Sequence, residues 1–247
     1  MKSRSGYPSL KRNHGILLNP FRFGASSVDP HRASVVAHLH LNGSDGSTSI
    51  VDTTGRSWSA SGNAQLDTAQ YVFNGSSLLL DGTGDYISTV DAAALRIGGA
   101  DHTIEARIRL AEVGRVQTIS NKRDGAGAEE HSFHVSAGNL LTYSAFSGGS
   151  PFITLTAANA FSIDTWYVVS ASRVGSNWYI HINGVLEDSD TSAGSASTNT
   201  APLYVGRDGF NSGRDLHGHI QEYRLTNGVG RYNGSSYTPA TGPFPTS

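Results

Sequence analysis

The sequence predicts an all-β chain folded as a two-sheet antiparallel sandwich, and three observations carry that reading. About a dozen short runs of alternating apolar and polar residues follow one another at near-regular spacing. Glycine supplies 29 of 247 residues while charged residues make up only 15%, a composition of many turns and few long helices. No segment with helical periodicity exceeds two turns. The clearest stretch is residues 166–184, WYVVSASRVGSNWYIHING. Trp166, Val168 and Ser170 alternate with Tyr167, Val169 and Ala171, the turn at 174–177 reverses the chain, and Trp178, Ile180 and Ile182 share one face of the next strand. Asn183-Gly184, the dipeptide best suited to two positive φ angles, then closes a second hairpin.

Taken in order, residues 1–34 hold Tyr7-Pro8, Asn19-Pro20 and Asp29-Pro30, with Phe21 and Phe23 among them. Proline at this frequency blocks a continuous helix or central strand, so the segment is read as an extended arm. Six basic residues against Asp29 give the arm a net charge of +5, leaving −7 for the rest of a chain whose total is −2. Arg4, Lys11, Arg12 and Arg22 would supply charge, and Phe21 and Phe23 apolar anchors, for docking on an acidic partner surface. Phosphate attracts such an arm too, but nucleic acid is not the expected partner.

The globular domain is expected over 35–247. Strands are predicted at 35–41, at 57–60 and 65–68 as short edges, and then at 76–80, 86–90 and 103–110. Residues 91–97 read as the one short helical turn, with Asp91 as its cap. In 103–110, Ile104, Ala106, Ile108 and Leu110 alternate with Thr103, Glu105, Arg107 and Arg109, which predicts a strand with one wet face. A strand at 116–120 precedes a glycine- and charge-rich stretch, 121–131, read as a long mobile loop. Further strands are expected at 131–135, 140–143, 152–156, 202–206 and 217–225. Residues 188–200, DSDTSAGSASTNT, read as a small polar segment and not as a strand, and the proline-rich end, YTPATGPFPTS, as an extended tail.

Composition excludes several classes. There is no cysteine, hence no disulfide framework and no thiolate metal site. No apolar run approaches the roughly 20 residues that span a bilayer, and the N-terminal residues lack the apolar core of about 7–15 residues that a secretory signal needs. No membrane partner is expected.

In chain order, SSLLLDGTGDYIS, HTIEARIR, WYVVSASRVGSNWYIHING, APLYVGR and HGHIQEYRLTNGVGRY resemble the successive strands of laminin-G-like, concanavalin A-like jelly-roll domains. The resemblance spans about 35–244. The ending LTNGVGRYNGSSYTPATGPF, with VVAHLHLNGSDGSTS near residue 40, is similar to the subgroup found in virion proteins of tailed bacteriophages. It implies a jelly roll whose first and last strands pair. It further implies a virion structural protein, as capsid decoration or tail accessory, made in the host cytoplasm and attached to capsid or tail proteins through its arm. Such accessories are commonly homo-oligomers, often trimers. The alternative, from another functional class, is a carbohydrate-binding adhesion module for host-surface glycans. Three positions depart from the family pattern: Arg107 stands in place of tryptophan, and Gln221 and Asn42 each in place of aspartate. Related folds hold calcium near the junction of the two termini, and the two missing carboxylates weaken that expectation.

Glycoside hydrolases of this fold carry their paired acids on one strand, as Glu-x-Asp-x-x-Glu or Glu-x-Asp-x-Glu. No such spacing occurs. Glu187, Asp188 and Asp190 come nearest in the wrong order, and Glu105 faces Arg107 and Arg109, so no enzyme activity and no catalytic residue are expected. For glycan contact the candidates are Tyr143, Phe146 and Tyr179, whose rings suit the apolar faces of sugars. No cofactor is required by any motif. Metal candidates are Asp81 and Asp85, whose Asp-Gly-Thr-Gly-Asp loop would suit Ca2+ but also any tight turn, and the histidines. His38 and His40 share one strand face, as do His217 and His219. Should those strands pair in register, four imidazoles would meet, a donor set for zinc, copper or nickel.

Overall fold

A computed structural model describes residues 28–123, 125 and 129–247. Strands are numbered in chain order. One sheet of eight runs β13 (Val185–Thr191), β12 (Asn177–Ile182), β11 (Trp166–Val174), β6 (His102–Leu110), β15 (His217–Asn227), β4 (Ser77–Asp81) and β3 (Gln65–Asp67). Its remaining strand, β1 (Val35–Leu39), pairs with the far half of β15. The other sheet, of seven, runs β10 (Ser150–Ala160), β9 (Leu140–Ser147), β8 (His131–Val135), β7 (Gln117–Lys122), β14 (Leu203–Val205), β5 (Tyr86–Thr89) and β2 (Ser59–Ser61). All pairings are antiparallel, and the expected union of first and last strands is present, with Val35 opposite Thr226 and Leu39 opposite Tyr223.

The core between the sheets is what the alternation requires. Ile104, Ala106, Ile108 and Leu110 of β6, Val169 and Ala171 of β11, and Trp178 and Ile180 of β12 meet Phe133, Tyr143, Leu155 and Leu203 from the other side. Each buried Val, Leu, Ile or Phe side chain contributes roughly 1.5–3 kcal/mol. The β12–β13 hairpin turns at Asn183 (φ 51°) and Gly184 (φ 76°), the two positive angles that the dipeptide suits. A Cβ at Gly184 would fall 2.0 Å from the Tyr237 carbonyl, because the C-terminal segment crosses this turn.

That crossing overturns the expected wet face of β6. Glu105 is 0% exposed and Arg107 is buried, because the C-terminal segment lies across the outer face of the eight-stranded sheet. Tyr232 donates its hydroxyl proton to Glu105 (2.7 Å), Tyr237 donates to Ser170 (3.3 Å), and Arg107 donates to the Ala240 carbonyl. Arg107, in place of tryptophan, sits over the Phe73 ring at 4.6 Å. Gln221, in place of aspartate, accepts the Val72 and Phe73 amides and donates to the Phe73 and Ser76 carbonyls. A carboxylate would supply only the accepting half.

Four further expectations are corrected. Residues 185–191 form β13, whose Glu187 and Asp188 accept backbone N–H groups of Asn159 (3.1 Å) and Thr156 (2.8 Å) in β10, stapling the two sheets along one edge. The turn near 93–95 is a 3-10 helix without a side-chain cap; Asp91 instead pairs with Arg96 and with Lys122 (2.8 Å). Strand β7 runs on through Lys122, which lies in the interior and donates to Asn199 and Ala201, so the predicted loop begins later than expected. The arm boundary also moves. Asp29 is buried, its N–H donates to the Ser247 carbonyl (2.7 Å), and Arg32 donates to Thr246 (2.9 Å), so residues 28–34 belong to the domain. Arg4, Lys11, Arg12, Phe21, Arg22 and Phe23 lie outside the described residues. Among the described residues no helix is long and apolar enough to cross a membrane.

Candidate functional site

Residues 28–34 and the C-terminal segment lie on the eight-stranded sheet, away from the outer face of the seven-stranded sheet. Leu141, Tyr143 and Ala145 of β9 and Ile153, Leu155 and Ala157 of β10 point inward. Their neighbours Thr142, Ser144, Thr154 and Thr156 therefore point out. Ser144 stands opposite Ser132 and Thr142 opposite His134 across β8–β9. The Ser144 and Thr154 hydroxyls are 3.0 Å apart, and Ser132 Oγ lies 3.2 Å from His134 Nδ1. A row of hydroxyls with one imidazole results, exposed at Thr154 and Thr156, half-buried at His134 and buried at Ser132, Thr142 and Ser144.

The wall beside this row is the segment 206–215. Gly206 donates its N–H to Ile119 (3.1 Å), Thr118 donates to Arg214 (2.9 Å), and Gly209 donates to Asn121 Oδ1 (3.2 Å). At Gly209 a Cβ would come within 2.3 Å of the Arg123 carbonyl and 2.6 Å of the Tyr204 ring, so only glycine lets this wall close on β7. Asp208 accepts the Phe210 and Asn211 amides (2.9 and 3.1 Å) and pairs with Arg214 (3.2 Å), which holds the Phe210 ring out at 53% exposure. Arg123 lies between two rings, 4.6 Å from Phe146 and 5.4 Å from Phe210, and binds Glu129 at 2.6 Å. Farther along, Tyr86 and Tyr204 meet edge to face at 5.7 Å, with Arg207 over Tyr86.

The electrostatics are settled by these neighbours. Burial alone would raise the Asp208 carboxyl, but the Asn211 side chain, two backbone N–H groups and the Arg123 charge hold it below the usual range. Burial, reinforced by Arg214, holds His134 down to about 4, so at neutral pH its ring is uncharged, with one donor and one acceptor nitrogen. Aromatic rings beside hydroxyl, amide and guanidinium groups suit a polyhydroxylated ligand, whose C–H faces stack and whose hydroxyls hydrogen-bond.

The predicted site residues fall in several places. Tyr143 is 1% exposed, with its hydroxyl 2.9 Å from His102 Nε2, so it is a core residue and offers no face to a ligand. Phe146 is on the right surface but 8% exposed beneath Arg123. Tyr179 belongs to the other sheet, where Gly234 of the C-terminal segment packs on its ring. Phe210, Arg123, Asp208 and His134 escaped the sequence reading; the sole signal was one aromatic inside the turn-rich run Asp208-Gly209-Phe210-Asn211.

Asp81 and Asp85 form a hydrogen-bonded turn. Asp85 accepts the Asp81 and Asn63 amides, and Asp81 accepts the Thr83 amide (2.8 Å). Oxygens aimed at N–H groups do not fit calcium, which wants them converging on itself. Nor do four histidines meet. His38 stands opposite Arg224, whereas His217 and His219 lie at the other end of β15, beside Glu112 (3.2 Å) and Ser77 (3.0 Å). His38 and His40 gather instead with Glu222, their ligand atoms all within 4.8 Å of one another.

A family model described as "Concanavalin A-like lectin/glucanases superfamily" matches residues 81–229. A comparison with curated proteins finds no match. Among solved structures, the binding domain of Paraclostridial Mosquitocidal Protein 1 aligns with a TM-score of 0.66 at 15% identity, over 81% of this chain and 50% of that one. The botulinum neurotoxin serotype D binding domain gives 0.60 at 14%, over 86% and 51%. Domain 4 of AbnA, an extracellular arabinanase from Geobacillus stearothermophilus, gives 0.57 at 15%, over 80% and 94%. The chain thus spans about half the length of the toxin binding domains, and at these identities the likeness is one of fold.

Proposed function

Because the chain belongs to the concanavalin A-like lectin/glucanases superfamily, we propose that it is a non-enzymatic, lectin-like module that binds saccharide on the outer face of its seven-stranded sheet. The observation that carries this reading is the contrast between the two outer faces. One is covered by residues 28–34 and the C-terminal segment, while the other carries the exposed Thr154 and Thr156, the half-buried His134 and the exposed Phe210 ring. Relatives of the fold lend support: the arabinanase domain is described in complex with arabinotriose, and botulinum neurotoxin type C as dependent on two ganglioside molecules.

The acids support binding over hydrolysis. A glycosidase needs a carboxyl kept protonated as general acid. Asp208 and Glu129, beside the face, are both engaged by Arg123. Glu130 is pushed up to about 7 by burial, but it lies wholly inside the core, where no sugar reaches it. On a glycan panel the protein is expected to bind a saccharide, and Phe210→Ala to weaken that binding about tenfold, the loss of one stacking contact worth roughly 1.4 kcal/mol. A fully folded protein that binds nothing on a broad panel, or that releases reducing ends, would overturn the proposal.

The carrier of this module, in the same proposal, is the virion of a tailed bacteriophage, on capsid or tail, with a homo-oligomer as the displayed unit. Support comes from the resemblance of the sequence ending and from residues 1–27, which hold five basic residues, two phenylalanines near their end and no acid. Deleting 1–27 is expected to abolish co-sedimentation with particles while the remaining domain keeps its far-UV spectrum. Normal attachment of the truncated chain would refute this placement.

A further inference from the structure

We propose that His38, His40 and Glu222 form a binding site for a divalent transition-metal ion of the zinc class. Three observations converge on it. The donor atoms, one from each side chain, all lie within 4.8 Å of one another. His38 is 0% exposed and neither of its ring nitrogens has a hydrogen-bond partner. A polar group so buried costs about 1–3 kcal/mol when left unsatisfied, which makes a ligand in reach of that ring its natural complement.

The third observation is backbone geometry. The register of β15 against β6 breaks between Gln221 and Arg224, and Glu222 itself sits at φ 56°, as does Leu41 just after His40. Left-handed φ at a glutamate and a leucine is disfavoured and persists where its surroundings over-determine it. The result brings the Glu222 carboxylate to 2.9 Å from His40 Nδ1, while its Oε2 accepts the Phe244 N–H at 2.9 Å. That amide is the outer partner that orients a ligating carboxylate.

Donor chemistry selects the metal. Two imidazoles and one carboxylate suit zinc, with the fourth position left to water, and they are a poor set for calcium, which takes six to eight oxygens. His40, at 16% side-chain exposure, is the edge through which an ion would enter. Nearby Arg224 is neutralised by Asp29 (3.0 Å) and Glu105 (2.8 Å), so its charge does not forbid a cation. An ion here would join β1, β15 and the C-terminal segment at one point.

The test uses the full chain, freed of metal by a chelator and titrated calorimetrically with Zn2+ at pH 7.5, with Co2+ as the spectroscopic probe. One equivalent is expected to bind, to raise the melting temperature, and with Co2+ to give visible d–d bands of four-coordinate intensity. His38→Leu and His40→Ala should each lower the affinity by about 100-fold or more, and the exposed-edge His40→Ala variant keeps the comparison valid should His38→Leu fold poorly. Absence of saturable binding, or binding that survives His40→Ala unchanged, would overturn the proposal.

Discussion

Arg224→Met is expected to lower the unfolding free energy by about 3–5 kcal/mol, the cost of leaving buried charges without their partner. Arg224 binds Glu105 through Nε (2.9 Å) and Nη2 (2.8 Å), and Asp29 through Nη1 (3.0 Å). Arg231 completes the group by donating to both Asp29 oxygens (2.9 and 2.8 Å). Burial alone would raise the Asp29 carboxyl, but the Arg231 hydrogen bonds, the His31 N–H and the two guanidinium charges win and hold it at about 2. Because one substitution removes a charged partner from two buried carboxylates at once, leaving Asp29 to Arg231 and Glu105 to the Tyr232 hydroxyl, its effect should exceed that of an average core change. Urea denaturation at pH 7 measures it, with Arg224→Met compared to the double variant Arg224→Met/Glu105→Gln. The double variant should regain part of the loss; a single variant within 1 kcal/mol of the wild type would show that this network contributes little to stability.

Acid should weaken the fold early, beginning near pH 6.5. Burial holds His38 down to about 3, His102 and His134 down to about 4 and His131 well below its usual value, so all four are neutral in the native state. In the unfolded chain each takes up a proton near pH 6.5. Their contribution is therefore fully present above pH 6.5 and is lost as pH falls toward the native values, at about 1.4 kcal/mol per pH unit for each imidazole. Glu130 works in the opposite direction. Burial pushes it up to about 7, so the native state gains its proton first, and it offsets one histidine between pH 7 and 4.5. With three imidazoles in net excess, the expectation is a fall of roughly 4 kcal/mol per pH unit between 6 and 5. Urea midpoints measured from pH 7.5 to 5 give the slope, and His131→Phe should flatten it by about one proton. A flat profile down to pH 5 would contradict the buried-neutral assignment.

Strand identity was legible wherever apolar residues alternate, because the period of two depends on local backbone geometry alone. Residues 103–110 show the limit of that signal. Alternation correctly sorted Ile104, Ala106 and Ile108 from Glu105 and Arg107, but it could not say that the second set would be covered, since the cover comes from residues 231–244, more than a hundred positions away. Strand β13 was missed because an edge strand rich in Asp, Ser and Thr carries turn composition, and its pairing rests on β12 and on carboxylates aimed at β10. The histidine pairs were noticed as i, i+2 neighbours, yet their partner was misjudged. Antiparallel register, with a break between Gln221 and Arg224, decides that Glu222 and not His219 faces His40. Phe210 was illegible for a related reason: a lone aromatic in a loop has no periodicity, and only the Asp208 hydrogen bonds fix its direction.

The hydrogen bond from Asp29 to Ser247 gives the molecule a front and a back. Residue 29 lies with Glu105 and Arg224 on the outer surface of the eight-stranded sheet, on the far side of the sandwich from Phe210 and His134. Under the proposed attachment through residues 1–27, the pull would come from behind and the face that carries Phe210 would be turned outward. Several copies anchored side by side would all present the same side to their surroundings, so that weak contacts to a repeated ligand would add as avidity.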